Sequence, residues 1–482
     1  MIRKLCLIAI CLAAVFALGS CSGIQNPCTD CNPTGNANLS ITLADAAPDG
    51  VSVITYTLPV VGVSLTNSSG SLVSVYAPST PAPFELTRLQ TDSSLIINNA
   101  SVASDTYTSL NVTLGASTGI LLNASAIAYG TCAAYSVCSL PNAAPYTIAI
   151  PISLTLSQNQ NKWIGLDLNM ANAIVVSGSN VTVDFSQPNV MTATTTPATG
   201  NPSSVFETIQ DFTGKISTIS SSSITVLSGT TGQSLTAVIN SSTTVDDPQG
   251  YCTGGPSVSC LIGTSAVVSM DTYLNTDGTL TANEIDVLTL NPVVDEFEGM
   301  IYPLCQGCNS YGMILSDKTQ VSSNTSVASA TIGTGVFLTF DPNATYAIDT
   351  KTLDVGLNGF TSGSDILPGQ VVRINLSSAS AHSGGGVDAT ATRVVLRGSR
   401  VSGNVNTVTS PLFTAASLPS YLYVFGGTLG PYPQVQTYSP GTVYQGITQL
   451  TQLQPNDPVS IRALYLNTPS PYPFVALKVR KH

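Results

Sequence analysis

The sequence predicts an all-β protein, with an N-terminal β-sandwich followed by about three small β-barrel-like repeat units. Short runs rich in Val, Ile, Thr and Tyr recur along the chain, and Gly, Pro, Asn and Asp separate them, as expected of strands joined by turns. No long apolar stripe with a 3.6-residue period indicates a buried amphipathic helix. The 482 residues, 43% of them hydrophobic, are enough for several domains with their own cores.

The start of the chain has the features of an export signal. Arg3 and Lys4 precede an unbroken apolar run at 5–18, which is shorter than the roughly 20 residues that span a bilayer as a helix. The tetrapeptide LGSC at 18–21 closes the run. Together these residues resemble a bacterial lipoprotein signal peptide, which implies that Cys21 is acylated and becomes the new N-terminus.

The lipoprotein resemblance implies a permanent attachment to the cell envelope, because two or three acyl chains hold a protein far more firmly than one. Ser22, rather than Asp, follows the cysteine, which is similar to lipoproteins sorted to the outer membrane of Gram-negative bacteria. The alternative is an ordinary secretory signal, with Cys21 left as a disulfide cysteine.

Composition shifts and strand patterns divide the chain into seven segments. Pro, Asn and Gly after Cys21 indicate a tether, and a Thr/Ala/Pro/Gly/Ser-rich stretch indicates a linker after the first domain. About nine short strands between them favour a β-sandwich. The segments are a signal peptide at 1–20, a tether at 21–37, the β-sandwich at 38–190, a linker at 191–204, and repeat units at 205–292, 293–400 and 401–482.

The sandwich region carries several short motifs. They are LSITLADAAPD at 39–49, DTY at 105–107, WIGLDL at 163–168 and QPNV at 187–190. This region resembles a bacterial secreted family catalogued as domain of unknown function 4382. The resemblance implies a secreted or surface β-domain and no defined activity. The loop that contains Cys132 and Cys138 is not part of the family pattern.

Three weak repeats follow the linker. Each opens with an apolar-x-Gly-x-apolar motif, at 212–216, 297–301 and 401–405. Each closes with two strands, predicted at 266–274 and 279–288, at 370–376 and 387–396, and at 457–466 and 472–479. The units resemble the small secreted domain of unknown function 5666, chiefly through TDGTLTANEI at 276–285, and the third unit departs most. We expect small β-barrels, and the five-stranded OB type is one topology that would fit.

Charge excludes one class of partner. Only 9% of the residues are charged, and the net charge is −11. A nucleic-acid-binding surface needs clustered Lys and Arg, so no nucleic-acid partner is expected. The basic residues of the third unit, Arg462, Lys478, Arg480 and Lys481, are interpreted as a solvated tail.

The eight cysteines after Cys21 fall in close pairs, which predicts four local disulfides in an exported protein. The pairs are Cys28 with Cys31, Cys132 with Cys138, Cys252 with Cys260, and Cys305 with Cys308. The sequence leaves this connectivity open. Two alternatives are weaker, because neither CxxC pair has the βαβ context of a redox site, and a zinc site would require the two CxxC pairs to meet.

No catalytic motif stands out. The chain has two histidines, and His382 lies in a Gly-rich stretch that would hold a catalytic base poorly. Paired carboxylates of a glycoside hydrolase could come from the first domain, where the candidates are Asp45, Asp49, Asp105 and Asp167. Asp45 and Asp49 flank a Pro turn and also suit loop capping. We therefore expect no catalytic residue.

Calcium is the most plausible ion, since hard oxygen ligands are the ones available. Asn275, Asp277, Gly278 and Glu284 fit four positions of an EF-hand loop, but Tyr273 occupies the first position and supplies no carboxylate. We interpret Asp277-Gly278 as a type I′ hairpin turn. The acidic pair at 246–247, followed by Pro, is also interpreted as a turn. We therefore expect no metal site and no cofactor.

The third unit is rich in aromatic residues, and exposed Tyr faces could stack on sugars or on another surface. The binding candidates are Tyr421, Tyr423, Tyr432 and Tyr438. The alternative is cross-strand aromatic packing inside a small barrel.

These observations favour a lipid-anchored cell-envelope protein with a non-enzymatic binding or structural role. Its expected partners are the membrane, through the N-terminal lipid, and a glycan or an envelope protein. The alternative function is an envelope carbohydrate-active hydrolase that uses paired carboxylates.

Overall fold

The computed structural model confirms an all-β protein. It describes residues 35–46, 52–123, 126, 128, 130–140, 143–177, 180–196, 198–204, 206–304, 310–351, 353, 355–424, 429–467 and 473–482. Its helices are short: α1 (Met170–Ala173), α2 (Val258–Leu261), α3 (Thr325–Ser329), α4 (Tyr421–Val424), and the 3₁₀ turns η1 (Leu86–Gln90), η2 (Gly363–Asp365) and η3 (Leu450–Gln452). None of the helices in these ranges is long and apolar enough to cross a bilayer.

The N-terminal domain consists of two packed sheets and a small ribbon. The strands are β1 (Asn36–Ala46), β2 (Val53–Asn67), β3 (Leu72–Tyr76), β4 (Pro83–Glu85), β5 (Ser94–Ala103), β6 (Thr106–Leu114), β7 (Thr118–Asn123), β8 (Ser136–Leu140), β9 (Tyr146–Thr155), β10 (Asn161–Asn169), β11 (Ile174–Ser177), β12 (Asn180–Val183) and β13 (Met191–Thr196). The first sheet has the order β13-β10-β1-β5, and the second has the order β8-β7-β2-β6-β9, with β3 and β4 also paired to β2. The ribbon pairs β11 with β12.

The sandwich core follows from alternating side chains. In β1, Leu39, Ile41 and Leu43 are buried, and they share one apolar cluster with Leu110 and Val112 of β6 in the opposite sheet. Apolar residues two apart on a strand point to the same face, so each sheet presents one apolar face to the other.

The prediction of a linker at 191–204 is wrong for the first half of this segment. Met191–Thr196 forms β13, which pairs with β10 at the edge of the first sheet. Met191 is buried, and the following Thr residues are β-branched, which suits a strand with one face on the core. Composition alone classed this segment as a linker because Thr is also common in flexible segments.

Three barrels follow the sandwich. The first contains β14 (Thr208–Ile219), β15 (Ser223–Leu227), β16 (Ser234–Val238), β17 (Thr244–Asp246), β18 (Val267–Leu274) and β19 (Leu280–Thr289). The second contains β20 (Glu296–Pro303), β21 (Tyr311–Thr319), β22 (Gly335–Ile348), β23 (Val371–Ala381) and β24 (Val387–Arg397). The third contains β25 (Ser399–Thr409), β26 (Leu412–Ala416), β27 (Gln434–Gln436), β28 (Val443–Gln445), β29 (Pro458–Tyr465) and β30 (Phe474–Lys481).

The three barrels share one pairing order. The second barrel is closed, in the order β20-β21-β22-β24-β23 and back to β20, and only the β22–β24 pairing is parallel. In the first and third barrels the third strand is split in two, and both pieces pair in parallel with the last strand. With strands numbered within a unit, the order is 1-2-3-5-4-1, which is the order of the five-stranded OB barrel.

The glycine of each repeat motif lies at an equivalent, crowded place on the first strand of its barrel. A Cβ atom at Gly214, Gly299 or Gly403 would clash with a backbone carbonyl of the second strand, at Leu227, Ile314 or Ala416. Glycine is therefore needed at this position of the motif, because the first two strands approach too closely to leave room for a side chain.

The domains share apolar contacts. Trp163 of the sandwich lies in the core of the first barrel, where its ring packs near Phe206. Ile54 and Leu122 of the sandwich contribute to the core of the third barrel. The four units are therefore packed together, and their polar residues meet in the interior.

Candidate functional site

Several charged residues gather where the four units meet. Among the Lys and Arg residues that the structure describes, six are buried. They are Lys351, Arg373, Arg397, Arg462, Lys478 and Arg480. The prediction that the basic tail is solvated is therefore wrong for Arg462, Lys478 and Arg480. They are only 2–5% exposed, because they point from strands of the third barrel into the interdomain space.

Six charged residues, acidic and basic, contact one another where the units meet, and we call them the junction cluster. They are Asp92, Asp211, Lys351, Arg400, Arg462 and Lys478. Arg400 of β25 is the register partner of Arg462 of β29, which in turn faces Lys478 of β30. Three cations thus stand side by side across neighbouring strands. Like charges in this arrangement repel one another, so the row requires carboxylates from elsewhere.

Asp211 of the first barrel supplies the central carboxylate. Its Oδ1 lies 2.9 Å from Lys351 Nζ of the second barrel, and its Oδ2 lies 2.8 Å from Arg400 Nη2 of the third. Arg462 Nη1 also contacts Oδ2. One carboxylate therefore links three barrels.

A β-bulge aims Asp211 at the cations. The pairing of β14 with β18 shifts between Ile209 and Phe212, and Asp211 has a φ of 51°. This left-handed conformation is uncommon for a residue other than Gly, and a bulge turns a side chain away from the regular alternation. The Asp211 N–H donates to Asp271 Oδ1 at 2.7 Å, which holds the bulge in place.

Asp92 supplies the second carboxylate and belongs to the sandwich. Its Oδ2 lies 2.7 Å from Arg400 Nη2, and its Oδ1 lies 3.3 Å from Lys478 Nζ. Arg88, one turn earlier, donates from Nη2 to the backbone oxygen of Asp211 at 3.2 Å. Polar bonds thus join the sandwich to the first and third barrels.

Burial and charge act in opposite directions on the pKa values of the junction cluster. Burial disfavours ionisation of Asp211, but Arg462, Lys351 and Arg400 outweigh it and hold the pKa of Asp211 well below its usual range. Burial lowers the pKa of Lys478 to about 8, although Asp92 opposes this shift. The carboxylates are therefore charged in the folded protein.

A second ionic network lies in the second barrel and reaches the first. Within the second barrel, Arg373 of β23 binds Glu296 of β20, with Nη2 2.7 Å from Oε2. Arg397 of β24 contacts Asp349 of the same barrel and binds Asp286 of the first barrel, with Nη1 3.1 Å from Oδ2. Arg397 therefore links the two barrels.

Two clefts flank Arg88. Cleft A lies between the sandwich and the second and third barrels, and its empty space of about 810 Å³ includes open solvent. Cleft B lies between the sandwich and the first two barrels, and its empty space of about 650 Å³ also includes open solvent. Cleft A is lined by hydroxyl and amide groups (Ser52, Thr55, Thr87, Gln90, Ser402, Ser417), apolar groups (Ile54, Met300, Ile314, Tyr421) and three charged groups (Glu85, Arg88, Arg400).

Glu85 is the carboxylate among the residues that line cleft A. It caps η1, because its oxygens accept from the backbone N–H groups of Thr87 and Arg88. It also accepts from the N–H of Tyr56 at 2.9 Å. Burial raises the pKa of Glu85, although these hydrogen bonds oppose the rise. The Glu85 carboxylate therefore stabilises the segment that contains η1.

The carboxylate candidates from the sequence line neither cleft. Asp45 is buried beside Asp167, and its Oδ1 accepts from the Met170 N–H. Burial raises the pKa values of both carboxyls. Asp105 accepts from the Thr106 N–H at 2.7 Å in a turn. Asp49 lies outside the described residues.

The two histidines lie in different places. His382 Nδ1 is 2.8 Å from Asp388 Oδ1, and its ring stacks on Phe337. His482 Nε2 is 2.7 Å from Ser460 Oγ, and Ser460 is fully buried. The pairs Asp388–His382 and Ser460–His482 therefore do not combine into one triad.

Two of the predicted disulfides are present. Cys132 is bonded to Cys138 and Cys252 to Cys260, and both pairs hold loops. Cys28, Cys31, Cys305 and Cys308 lie outside the described residues, as does Cys21.

The four tyrosine candidates do not form one exposed face. Tyr421 is only 2% exposed, so the expectation of an exposed ring face is wrong for it. It belongs to α4, which packs on the third barrel, although some of its atoms contribute to the wall of cleft A. Tyr423 and Tyr438 are half-buried against two different cores, and Tyr432 is 53% exposed.

The loop between β18 and β19 is a turn, but not of the predicted type. Gly278 has a φ of 83°, and its N–H donates to Asn275 O, whereas Asp277 does not have a positive φ. A type I′ turn requires positive φ at both central residues. Asp277 Oδ1 accepts from the Thr279 N–H at 2.9 Å, so it serves the turn.

The comparison with known families supports one of the two resemblances. The family described as "Domain of unknown function (DUF4382)" matches residues 36–183, which span most of the sandwich. A search of curated proteins found no match. The resemblance of the barrels to domain of unknown function 5666 stays a prediction.

Sequence reasoning missed the junction cluster. One signal was present: Arg462 and Lys478 each stand within a strongly apolar strand, in a chain with few charges. A charge in such a strand needs a buried partner. The partners come from other domains, and no local pattern shows which carboxylates these are.

Proposed function

We propose that this protein is a non-enzymatic binding protein of the cell envelope, anchored through Cys21, and that it holds its ligand in cleft A. The observation that carries the proposal is the lining of cleft A, which combines hydroxyl and amide groups with apolar side chains. Such a surface suits an uncharged, hydroxyl-rich ligand such as an oligosaccharide.

The charges of cleft A favour a neutral ligand over an ionic one. Arg400 is neutralised by Asp92 and Asp211, and Glu85 is satisfied by η1 and Tyr56. Arg88 donates to the backbone oxygen of Asp211 and to Thr213. An ionic ligand would have to compete with these buried partners. A sugar would instead use the side-chain hydroxyls of residues such as Thr55 and Ser402, together with the apolar face of Met300.

The lining of cleft A supports binding more than hydrolysis. Glycoside hydrolysis uses two carboxyl groups about 5–10 Å apart on either side of the bond. Among the residues that line cleft A, Glu85 is the single carboxylate, and it is already a helix cap. The hydrolase alternative would therefore require a second acid from outside this lining.

A glycan array probed with residues 21–482 carrying Cys21→Ser tests the binding proposal. We expect retention of envelope-type oligosaccharides, and loss of at least about tenfold in affinity in Met300→Trp, which fills the cleft. Leu72→Trp is the matched control, because Leu72 is 70% exposed on the sandwich. The absence of any bound glycan, or equal binding by Met300→Trp, would refute the proposal; release of reducing sugar would favour the hydrolase.

The anchor has a separate test. Cys21→Ser in the full-length chain should move the protein from the outer-membrane fraction to the soluble fraction, because it removes the acylated sulfur. Membrane retention equal to that of the wild type would show that Cys21 is not the anchor.

A further inference from the structure

A group of carboxyls between the first and second barrels is short of positive charge. One carboxylate oxygen from each of Asp246, Asp286 and Asp349 lies within 4.8 Å of the other two. Asp246 of β17 is the register partner of Asp286 of β19 in a parallel pairing, so both side chains leave the sheet on the same side. Asp349 comes from the loop that follows β22 of the second barrel.

Glu284 lies beside this group, outside the set of three carboxyls whose oxygens are within 4.8 Å of one another. It lies two residues before Asp286 on β19, and its side chain is only 10% exposed. Its Oε1 has no hydrogen-bond partner, and Lys351 Nζ is 4.0 Å away. A nearly buried carboxyl without a hydrogen bond costs free energy unless something else neutralises it.

Unpartnered oxygens mark this place independently of the clustering. Asp286 is fully buried, and its Oδ1 has no partner, while Oδ2 binds Arg397. Asp246 Oδ2 is also buried without a partner. Asp246, Asp286 and the neighbouring Glu284 therefore each present a buried oxygen that nothing described in the structure satisfies, whereas buried polar atoms are normally bonded.

The charge count points to a divalent ion. When ionised, the three Asp carboxylates face one cation, Arg397, which contacts Asp286 and Asp349. The group is thus short of two positive charges. A proton shared between two carboxyls would remove only one of the excess negative charges, whereas a divalent ion balances both.

The ligand set favours calcium over magnesium. Mg²⁺ keeps several of its waters and is usually bound through one or two carboxylates, whereas Ca²⁺ accepts more protein oxygens in a flexible geometry. Here three carboxylates from separate segments have oxygens within 4.8 Å of one another, close enough to share one ion. We propose that Asp246, Asp286 and Asp349 bind one Ca²⁺ that links the first barrel to the second.

This site is separate from cleft A and does not depend on the proposed ligand. None of its three carboxyls is among the residues that line cleft A. Asp246 is half-buried, so the ion can enter from the solvent side. The site also differs from the EF-hand-like loop of the sequence, because Asp277 is engaged in the turn and Glu284 lies outside the three-carboxyl group.

Calorimetric titration of chelator-treated residues 21–482 carrying Cys21→Ser, with calcium chloride up to about 10 mM, tests the site. We expect one bound Ca²⁺, a higher melting temperature, and weaker binding of magnesium chloride. Asp246→Asn should weaken Ca²⁺ binding by about tenfold or more, since it removes a charged ligand. Asp246 forms none of the ion pairs in the described ranges, so this variant should fold.

Asp277→Asn is the matched control, because Asp277 is an exposed acid in the β18–β19 loop. It should bind Ca²⁺ as the wild type does. The proposal is overturned if the wild type binds no Ca²⁺ in this range, if Mg²⁺ binds equally well, or if Asp277→Asn rather than Asp246→Asn loses binding.

Discussion

At the scale of single residues, the structure places charge where composition would least suggest it. Only 9% of the residues are charged, yet most of the ion pairs in the described part of the chain are buried. Glu298 of β20 is an example within the second barrel, since it lies 3.4 Å from Arg373 and 3.7 Å from Arg397 and is 3% exposed. Burial opposes its ionisation, but Arg397 and Arg373 lower the pKa of Glu298 to about 2.

This lowered pKa predicts a loss of stability in acid. Glu298 has an ordinary pKa of 4.5 when unfolded and about 2 when folded. Its contribution, about 3 kcal/mol, is therefore present above pH 4.5 and is lost as the pH falls toward 2. Urea unfolding of the wild type and of Glu298→Gln between pH 6 and 2.5 should show a shallower pH dependence in the variant. Parallel slopes would contradict this assignment.

At the scale of elements, the repeat motif is explained by how closely the strands approach. The first and second strands of each barrel come together at Gly214, Gly299 or Gly403. The sequence motif was visible, but the reason for it was not, because the clashing carbonyl lies on another strand. The same holds for the bulge at Asp211. Its effect, which is to direct the carboxylate toward Lys351, Arg400 and Arg462, is visible only when those residues are in place.

Gly299→Ala should destabilise the second barrel. The added methyl group would meet the Ile314 carbonyl and the Met313 side chain, so the strands must separate. We expect a cost of about 1–3 kcal/mol. Gly356→Ala is the control, since it has open space and no positive φ. Thermal melts of both variants measure the difference, and an unchanged melting temperature in Gly299→Ala would refute the explanation.

At the scale of the whole molecule, the junction cluster makes four domains into one unit. Asp211 contacts Lys351, Arg400 and Arg462, which belong to two other barrels. Removing one partner of a buried ionic group costs more than removing an exposed one, because the remaining charges stay buried. The domains should therefore unfold together while the cluster is intact.

Asp211→Asn should break this cooperativity. We expect a loss of about 3–5 kcal/mol and separate transitions for different probes. The single Trp, Trp163, reports on the contact between the sandwich and the first barrel, while circular dichroism reports on all strands. Asp388→Asn, an acid whose side chain is 50% exposed, should cost under about 1 kcal/mol. Coincident transitions in Asp211→Asn would show that the cluster does not couple the domains.

The sequence by itself determined the all-β class and the paired loop cysteines at 132–138 and 252–260. It also determined the last two strands of each repeat, because alternation, turn residues and spacing are local signals. Only the tertiary structure decided that β13 completes the sandwich, that Tyr421 is buried, and that Asp92 and Asp211 meet a row of cations. The physical reason is the distance along the chain over which each signal acts. The pattern that predicts a strand depends on neighbouring residues in the sequence, whereas a buried charge is paired with residues that can be hundreds of positions away.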